Sequence, residues 1–450
     1  MKIFILNPNF NIERRSVMNV RARQPLSLAT IAAILQDKGH EIRFLDANVL
    51  NYTVQKTIDS INEFESEVLI LTTTPIDRWE CPNSHINNIF KILDATKAKH
   101  KIITGSHGTV DPDWIFNKSK ADIVVKGEPE KIVEETVDNL SAKGQLVDVK
   151  GISFKQDKKI IHNSQAGRIN DLDALPLPAY ELLPMEKYHA SGFKDPFSIM
   201  MTSRGCPYSC TFCLKAMSEG NYISQSPERV LIEIEYLIIN FGIKSIYFQD
   251  WEYLVDIPRV EKISDLLINN EIKISWGCNA RATDIVRNQD IIEKIKKAGC
   301  FKINIGLESA SDQILENINK KTTQKDLKQA IYILRENKID VGYYVLINCP
   351  GEDKETIQET VNFILDHDLK VKNFNPAIPY PGTKLYQKLK ELNPDKKFSW
   401  ENIEKYAGRI GVRYSPKRAL MVLRHYKYKK KYGKAYFLNP KFLIHLVKKK

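Results

Sequence analysis

The chain lacks the features that would place a protein in a membrane or outside the cell. None of its 450 residues lies in an apolar run of about 18, the length that a spanning helix needs. The amino terminus is a poor signal peptide because Asn7 and Pro8 interrupt its apolar stretch. Only seven cysteines are present and four of them are scattered, which excludes a disulfide framework. We therefore expect a globular protein of the cytoplasm.

Acidic residues are missing from the end of the chain. Residues 409–450 hold 14 Lys and Arg, whereas the rest of the chain holds 53 basic and 55 acidic residues and is nearly neutral. The basic segment 415–450, with its interleaved aromatic and aliphatic residues, predicts helices on the inner face of an anionic membrane. A lipid-linked substrate would fit this contact. A solvated terminal face is the main alternative, and nucleic-acid binding is the least favoured.

Three cysteines lie in one short loop at the spacing C-x3-C-x2-C. They are Cys206, Cys210 and Cys213 of the segment RGCPYSCTFC, and Phe212 precedes the last sulfur. Thiolates this close can bind one iron–sulfur cluster, and three of them leave one iron of a [4Fe–4S] cluster without a protein ligand. Structural zinc needs a fourth ligand, and no Cys or His occurs in the next 60 residues. Buried thiols without a metal are the other alternative.

Two strand–helix alternations predict an α/β protein of two domains. Residues 1–165 read as an open, doubly wound, mostly parallel sheet of the Rossmann-like kind. A Pro-rich linker follows at 166–195, and six strand–helix units at 196–390 predict an open (βα)6 partial TIM barrel. The cysteine loop follows the first barrel strand, on the face where such barrels carry their chemistry. Residues 391–450 are predicted to form a basic helical extension.

These features resemble the radical S-adenosylmethionine (SAM) superfamily, in the class with an amino-terminal cobalamin-binding domain. The cysteine spacing, the Gly-x-His-Gly-Thr turn at 105–109, Gly-Glu-Pro-Glu at 127–130 and the segment GLESASDQILENINKKTT carry the resemblance. It implies a [4Fe–4S] cluster, SAM on the open iron, and cobalamin. The sequence departs from the family at Asn348, which replaces the first Gly of Gly-x-Pro-Gly-Glu. It also has no D-x-H-x-x-G loop to supply a cobalt-ligating His.

The resemblance implies roles for individual residues, with the three loop cysteines as cluster ligands. The expected cobalamin-pocket residues are Thr72, Thr73, Thr74, Gly105, His107, Gly108, Thr109, Gly127 and Glu128. The expected residues around the cluster and SAM are Phe212, Asp250, Glu252, Arg281, Glu308 and Ser309. A salt bridge at the barrel rim is the alternative for each polar barrel residue. For His107 a local hydrogen bond within the turn is the favoured interpretation.

The resemblance also implies a function. We expect a radical SAM enzyme that forms a 5′-deoxyadenosyl radical and transfers a methyl group from cobalamin to an unactivated carbon of a small or lipid-linked molecule. Flavodoxin or ferredoxin would donate the electron. A cobalamin-associated cyclase or rearrangement enzyme, and a non-catalytic iron–sulfur or cobalamin-binding regulator, are the alternatives. A methylthiotransferase is disfavoured because residues 1–165 hold one cysteine, Cys81, and cannot bind a second cluster.

Overall fold

The computed structural model describes residues 1–10, 23–74, 82–218 and 222–408, together with Leu423. Cys81 and, apart from Leu423, the predicted basic helices of 415–450 lie outside this set. Two α/β units with an extended connection between them make up the described part. None of its helices has both the length and the apolar character needed to cross a bilayer.

The first unit is a seven-stranded sheet covered by helices on both faces. Its strands are β1 (Lys2–Asn7), β2 (Glu41–Asp46), β3 (Val68–Thr72), β4 (His100–Thr104), β5 (Ile123–Val125), β6 (Ile152–Gln156) and β7 (Lys159–His162). Its helices are α1 (Leu26–Asp37), α2 (Val54–Glu63), α3 (Asn87–Ala95), α4 (Ser106–Val110), α5 (Pro112–Lys118) and α6 (Pro129–Ser141). The strand order is β2-β1-β3-β4-β5-β6-β7, with β1 to β5 parallel and the last two antiparallel.

The four central residues of strand β1 are apolar, and both of its faces are covered. Ile3 and Ile5 belong to one hydrophobic core, and Phe4 and Leu6 belong to the core on the opposite face. A parallel strand between two helical layers has this composition, since no side of it meets water. The predicted doubly wound parallel sheet is confirmed, with an antiparallel edge added by β6 and β7.

The second unit is a curled, all-parallel sheet of six strands that forms a half-barrel. Its strands are β8 (Phe197–Met200), β11 (Ser245–Phe248), β12 (Ser275–Ala280), β13 (Cys300–Glu308), β14 (Asp340–Ile347) and β15 (Asn375–Pro376), paired in this order; β9 (Ser203–Arg204) and β10 (Ile223–Ser224) form a separate antiparallel pair. Its helices are α7 (Pro227–Phe241), α8 (Ile257–Asn269), α9 (Ala282–Arg287), α10 (Gln289–Lys297), α11 (Asp312–Asn317), α12 (Gln324–Glu336), α13 (Lys354–Asp366) and α14 (Lys384–Glu391). The predicted partial barrel is thereby confirmed.

Helix α7 illustrates how local sequence fixes these elements. Ser226 accepts a hydrogen bond from the backbone N–H of Arg229 at 3.1 Å, and Pro227 occupies the first turn. Gly242 ends the helix in the left-handed region at φ 62°, where a side chain would be strained. The buried residues Val230, Ile234 and Leu237 repeat at helical spacing and pack on the barrel strands.

Strand alternation gives the half-barrel an apolar outer face and a polar inner face. Ile246 and Phe248 of β11 pack in the main core. Between them, Tyr247 projects to the other side, where its hydroxyl donates to Asn279 Oδ1 at 2.5 Å. The Asn304 amide donates to the same hydroxyl at 2.6 Å, so a hydrogen-bonded network crosses three strands of the concave face.

The connection between the units is hydrogen-bonded to the first sheet through the buried carboxylate of Asp46. Tyr188 donates its hydroxyl to Asp46 Oδ2 at 2.6 Å, and Asn7 donates to Asp46 Oδ1 at 2.9 Å. The backbone N–H groups of Asn48 and Val49 also donate to Oδ1, each at 3.0 Å. Burial nevertheless outweighs these contacts and raises the pKa of Asp46 to about 6.

We predict that Asp46→Asn flattens the pH dependence of unfolding. A raised pKa means that the folded state holds a proton more tightly than the unfolded state does. The free energy of unfolding should therefore fall by about 2 kcal/mol as pH rises from about 4 to about 6. Asparagine keeps the shape of the side chain and cannot titrate. The free energy of unfolding of the apoprotein, measured with urea, should therefore fall less steeply with pH in Asp46→Asn. Asp340→Asn, at an exposed position, is the control and should keep the parent slope; an equally steep fall in both variants contradicts the assignment.

Candidate functional site

The three loop cysteines lie beyond the carboxyl end of β8. Their side chains are partly exposed, whereas Cys278, Cys300 and Cys349 are buried, and none of these six described cysteines forms a disulfide. Strands β9 and β10 pair at the base of the loop and close it. Among the described residues, no group of three His, Cys, Asp or Glu could hold a single metal ion. The described part therefore offers no four-ligand zinc site.

Asp250 holds the start of the cysteine loop. Its Oδ1 accepts from the Thr202 N–H at 2.6 Å and the Ser203 N–H at 3.0 Å, and its Oδ2 accepts from the Thr202 hydroxyl at 2.5 Å. Arg259 supports the same base by donating to the carbonyls of Thr202 at 3.0 Å and Gln225 at 2.7 Å. Both Asp250 oxygens are thus occupied by the loop, and its contact with SAM stays a prediction.

Arg281 lies against the cysteine loop. Its Nη1 donates to Cys210 Sγ at 3.5 Å, and its guanidinium covers the Tyr208 ring with 3.8 Å from Cζ to the centroid. The Tyr208 hydroxyl donates to Asp284 Oδ1 at 2.5 Å. Arg281 Nε and Nη2 and Asp284 Oδ2 are buried without a protein partner. A ligand with a carboxylate and an ammonium, such as the methionyl part of SAM, would satisfy these atoms.

Glu252 adds a buried carboxyl to this cluster. It is 3% exposed, and its Oε1 accepts a weak hydrogen bond from the Leu254 N–H at 3.4 Å. Burial and the nearby Asp284 carboxylate raise the pKa of Glu252 well above its ordinary value, although Arg281 opposes this. An ammonium group placed here would therefore meet acceptors that the protein leaves largely unused.

Glu308 pairs with a lysine that the sequence did not single out. Lys320 Nζ donates to Glu308 Oε1 at 2.8 Å, and both side chains are 8% exposed. Glu308 lies at a bulge of β13 with φ 54°, a strained conformation of the kind found at functional sites. A Cβ on Gly306 would lie 2.4 Å from Lys320 Nζ, so a larger residue there would make the pair shift. Burial lowers the pKa of Lys320, but the nearby Glu308 outweighs it and the pKa is raised.

Two other predicted barrel residues face the protein interior. The Ser309 hydroxyl lies 3.0 Å from Thr360 Oγ1 on α13 and accepts from the Ser311 N–H at 3.2 Å. It therefore supports the start of α11 in this structure. Phe212 packs against a small core that includes Ile314. The contacts of Ser309 and Phe212 are with the protein itself, and their roles around the cluster and SAM stay predictions.

The predicted cobalamin-pocket turns converge at the carboxyl ends of β3, β4 and β5. Gly105, at φ +107°, lies so close under the threonines that its Cβ would be 2.5 Å from Thr73 Oγ1 and 2.7 Å from Thr74 Oγ1. Gly108 approaches Val124 in the same way. Thr109 Oγ1 accepts from the Gly127 N–H at 3.1 Å, which joins two of the turns. Thr72 Oγ1 donates to the Thr74 carbonyl at 2.7 Å.

Gly127 and Glu128 differ in what they offer to a ligand. A Cβ on Gly127, at φ +97°, would meet no atom within 4 Å, so its backbone borders open space. Glu128 is 5% exposed and turns toward the connection between the units. Its carboxylate accepts from the Ile169 N–H at 2.8 Å and from Arg168 Nη2 at 3.3 Å. Glu128 therefore binds the connection between the two units in this structure, and its role in the cobalamin pocket stays a prediction.

His107 is enclosed between two indoles. Its ring centroid lies 4.3 Å from that of Trp400 and 5.9 Å from that of Trp114, and its Nε2 donates to the Asn83 carbonyl at 2.9 Å. Burial lowers the pKa of His107 to about 3, so the ring is neutral. The side chain is 0% exposed and presents no accessible atom to a cofactor. Asn83 lies 24 residues before His107, so this is not the local hydrogen bond within the turn that was favoured, and the pocket role of His107 stays a prediction.

Comparison with known proteins agrees with this geometry. A B12 binding domain model matches residues 23–137, and a model of the radical SAM superfamily matches residues 200–364. The chain therefore carries a B12-binding domain followed by a radical SAM domain. The family and the B12-binding domain imply a [4Fe–4S] cluster, SAM and cobalamin, which confirms the cofactor prediction. The same similarities show that the protein is an enzyme, so the alternative of a non-catalytic regulator is excluded.

Three similar proteins differ in what their names record. An uncharacterized methyltransferase of Pyrococcus horikoshii is 29% identical over 99% of this chain and 94% of its own length. The anaerobic magnesium-protoporphyrin IX monomethyl ester cyclase of Cereibacter sphaeroides is 25% identical over 87% of this chain and 64% of its own length. Among solved structures, the radical SAM methyltransferase TsrM of Kitasatospora setae aligns with a TM-score of 0.69 at 18% identity, over 87% of this chain and 75% of that chain.

We predict that Cys210→Ala removes the cluster from this radical SAM enzyme. Loss of one of three thiolate ligands should lower the iron content and the iron–sulfur absorbance below about a tenth of the parent after anaerobic reconstitution. Cys278→Ala, a buried thiol away from the loop, is the matched control and should keep both signals. Full iron content in the loop variant would refute the ligand assignment.

Proposed function

We propose that this protein is a cobalamin-dependent radical SAM methyltransferase that acts on an unactivated carbon of a small molecule. The observation that carries the proposal is the placement of two cofactor regions against each other. Arg204, two residues before Cys206, forms a bidentate contact with Glu130 of the B12-binding domain at 2.8 and 3.1 Å. The base of the cysteine loop therefore lies directly against the turn that follows β5.

The protein's own groups fit the positioning work that such a reaction needs. When bound, the cluster supplies the electron that cleaves SAM and cobalamin supplies the methyl group. Arg281 would orient the SAM carboxylate, while Glu252 and Asp284 would take its ammonium group. Glu308, held by Lys320, would position the ribose. The open backbone at Gly127 would let a large planar cofactor approach the sheet.

A cyclase is the second candidate, and the similarity to the magnesium-protoporphyrin cyclase supports it. Both reactions begin with SAM cleavage, so the shared site does not separate them. They differ in the fate of the methyl group, because remethylation of cobalamin consumes a further SAM. We propose flavodoxin or ferredoxin as the electron donor and a small or lipid-linked substrate; membrane contact through 415–450 stays a prediction.

We predict that the loaded enzyme forms two products from SAM. Protein purified without oxygen and supplied with hydroxocobalamin, SAM and dithionite should yield both 5′-deoxyadenosine and S-adenosylhomocysteine, measured by mass spectrometry. Cells fed methyl-deuterated methionine should carry the label in one metabolite that a deletion strain lacks. Cys210→Ala is the background control. Formation of 5′-deoxyadenosine with no S-adenosylhomocysteine and no labelled metabolite would favour the cyclase and exclude methyl transfer.

A further inference from the structure

Four charged side chains, three of them buried and Arg168 partly exposed, form a network between the B12-binding domain, the connection and the cysteine loop. Arg204 donates to Glu130 through both ends of its fork and lies 3.7 Å from Glu128 Oε1. Glu128 also accepts from Arg168 Nη2 at 3.3 Å. The exposed fractions of the side chains are 6% for Arg204, 3% for Glu128 and 0% for Glu130. We call Arg168, Arg204, Glu128 and Glu130 the interdomain network.

Each end of the network is attached to a cofactor-binding segment. Arg204 belongs to β9, which pairs with β10 at the base of the cysteine loop. Glu128 and Glu130 follow Gly127 directly, and Pro129 begins α6 between them with its fixed φ. Pro129 thus restrains the backbone between Gly127 and Glu130, and Gly205 alone separates Arg204 from Cys206. A shift at either end of the ion pair would move the neighbouring cofactor segment with it.

Stability alone does not explain this arrangement. Burial of a guanidinium with two carboxylates has a large desolvation penalty, and well-packed apolar side chains often stabilise a protein as well or better. What a bidentate pair adds is a fixed distance and a fixed angle between two rigid segments. Catalytic groups tolerate little error in placement, since a displacement of about 1 Å can reduce a rate by about 100-fold.

We propose that the interdomain network positions the B12-binding domain over the cysteine loop, so that methyl transfer stays coupled to SAM cleavage. The inference rests on the proposed methyltransferase function. SAM cleavage needs groups on the barrel alone, whereas methyl transfer needs both units at a set distance. A weaker network should therefore reduce methyl transfer while SAM cleavage continues. Arg204 and Glu130 are positioning residues in this scheme, and neither touches the reacting atoms.

The test is Glu130→Gln in the full-length, reconstituted enzyme. The amide keeps the size of the side chain and removes the charge that fixes the Arg204 fork. We expect iron content and 5′-deoxyadenosine formation within about twofold of the parent, and S-adenosylhomocysteine formed per 5′-deoxyadenosine lowered by about tenfold or more. Cobalamin should dissociate faster on dilution. Hydrogen–deuterium exchange should rise in both 127–137 and 203–213.

Glu134→Gln is the matched control because it lies one turn further along α6. Glu134 pairs with Lys38 at 3.0 Å and Lys131 at 2.9 Å, and all three belong to the B12-binding domain. It should leave the product ratio and the exchange of the cysteine loop unchanged. Arg204→Lys keeps the charge and loses the bidentate geometry, so it should lower the ratio as well. If the product ratio of Arg204→Lys equals that of the parent, the fall seen in Glu130→Gln comes from the lost charge and not from lost geometry. This result would overturn the positioning role.

The remaining outcomes are also decisive. A parental product ratio and parental exchange in Glu130→Gln overturn the proposal. Should Glu130→Gln not fold, Arg204→Lys carries the same criteria. Should the parent form no S-adenosylhomocysteine, the methyltransferase function fails, and the network is judged on cobalamin dissociation and hydrogen exchange alone. Unchanged values of both in the variants would then reject it.

Discussion

The contact between Arg204 and Glu130 joins the two halves of the molecule at the place where their chemistry meets. A charged guanidinium that is 6% exposed would have a large desolvation penalty without partners, so its two carboxylate neighbours fix where it lies. The contact also depends on Asp250, because this carboxylate holds Thr202 and Ser203 just before Arg204. The cysteine loop is thus restrained from the barrel side and from the B12-binding domain at adjacent residues.

The parallel strands explain why the loops of each unit that carry the candidate site residues lie close together. In both sheets the carboxyl ends of the strands gather at one edge, and loops that follow different strands become neighbours. The turns near Gly105 and Gly127 come together in the first unit by this rule, and Cys206, Glu252 and Arg281 come together in the second. The network joins a loop of the first unit to the base of the cysteine loop through the contact of Arg204 with Glu130.

Much of this arrangement could be predicted from the sequence, and the missing part has a physical cause. Periodic apolar runs are local patterns, so the two sheets were predicted correctly; the C-x3-C-x2-C spacing is local too, and its role as the set of cluster ligands stays a prediction. Which carboxylate meets which cation depends on contacts between distant residues. Lys320 lies 12 residues beyond Glu308 and could not be recognised as its partner from spacing. The same limit applies to His107, whose enclosure depends on Trp400 from the far end of the chain.

Asn348 shows how a departure from a family pattern can preserve its geometry. The residue stands where relatives of this class usually have glycine, and it adopts φ 65°, in the left-handed region. Asparagine tolerates this region better than other residues that have a side chain. Its N–H donates to Glu352 Oε2 at 2.5 Å, which holds the turn in place. Gly351, at φ 78°, keeps the second special position of the turn. The backbone path at the end of β14 therefore survives the substitution, and the added amide side chain distinguishes this chain from relatives with glycine.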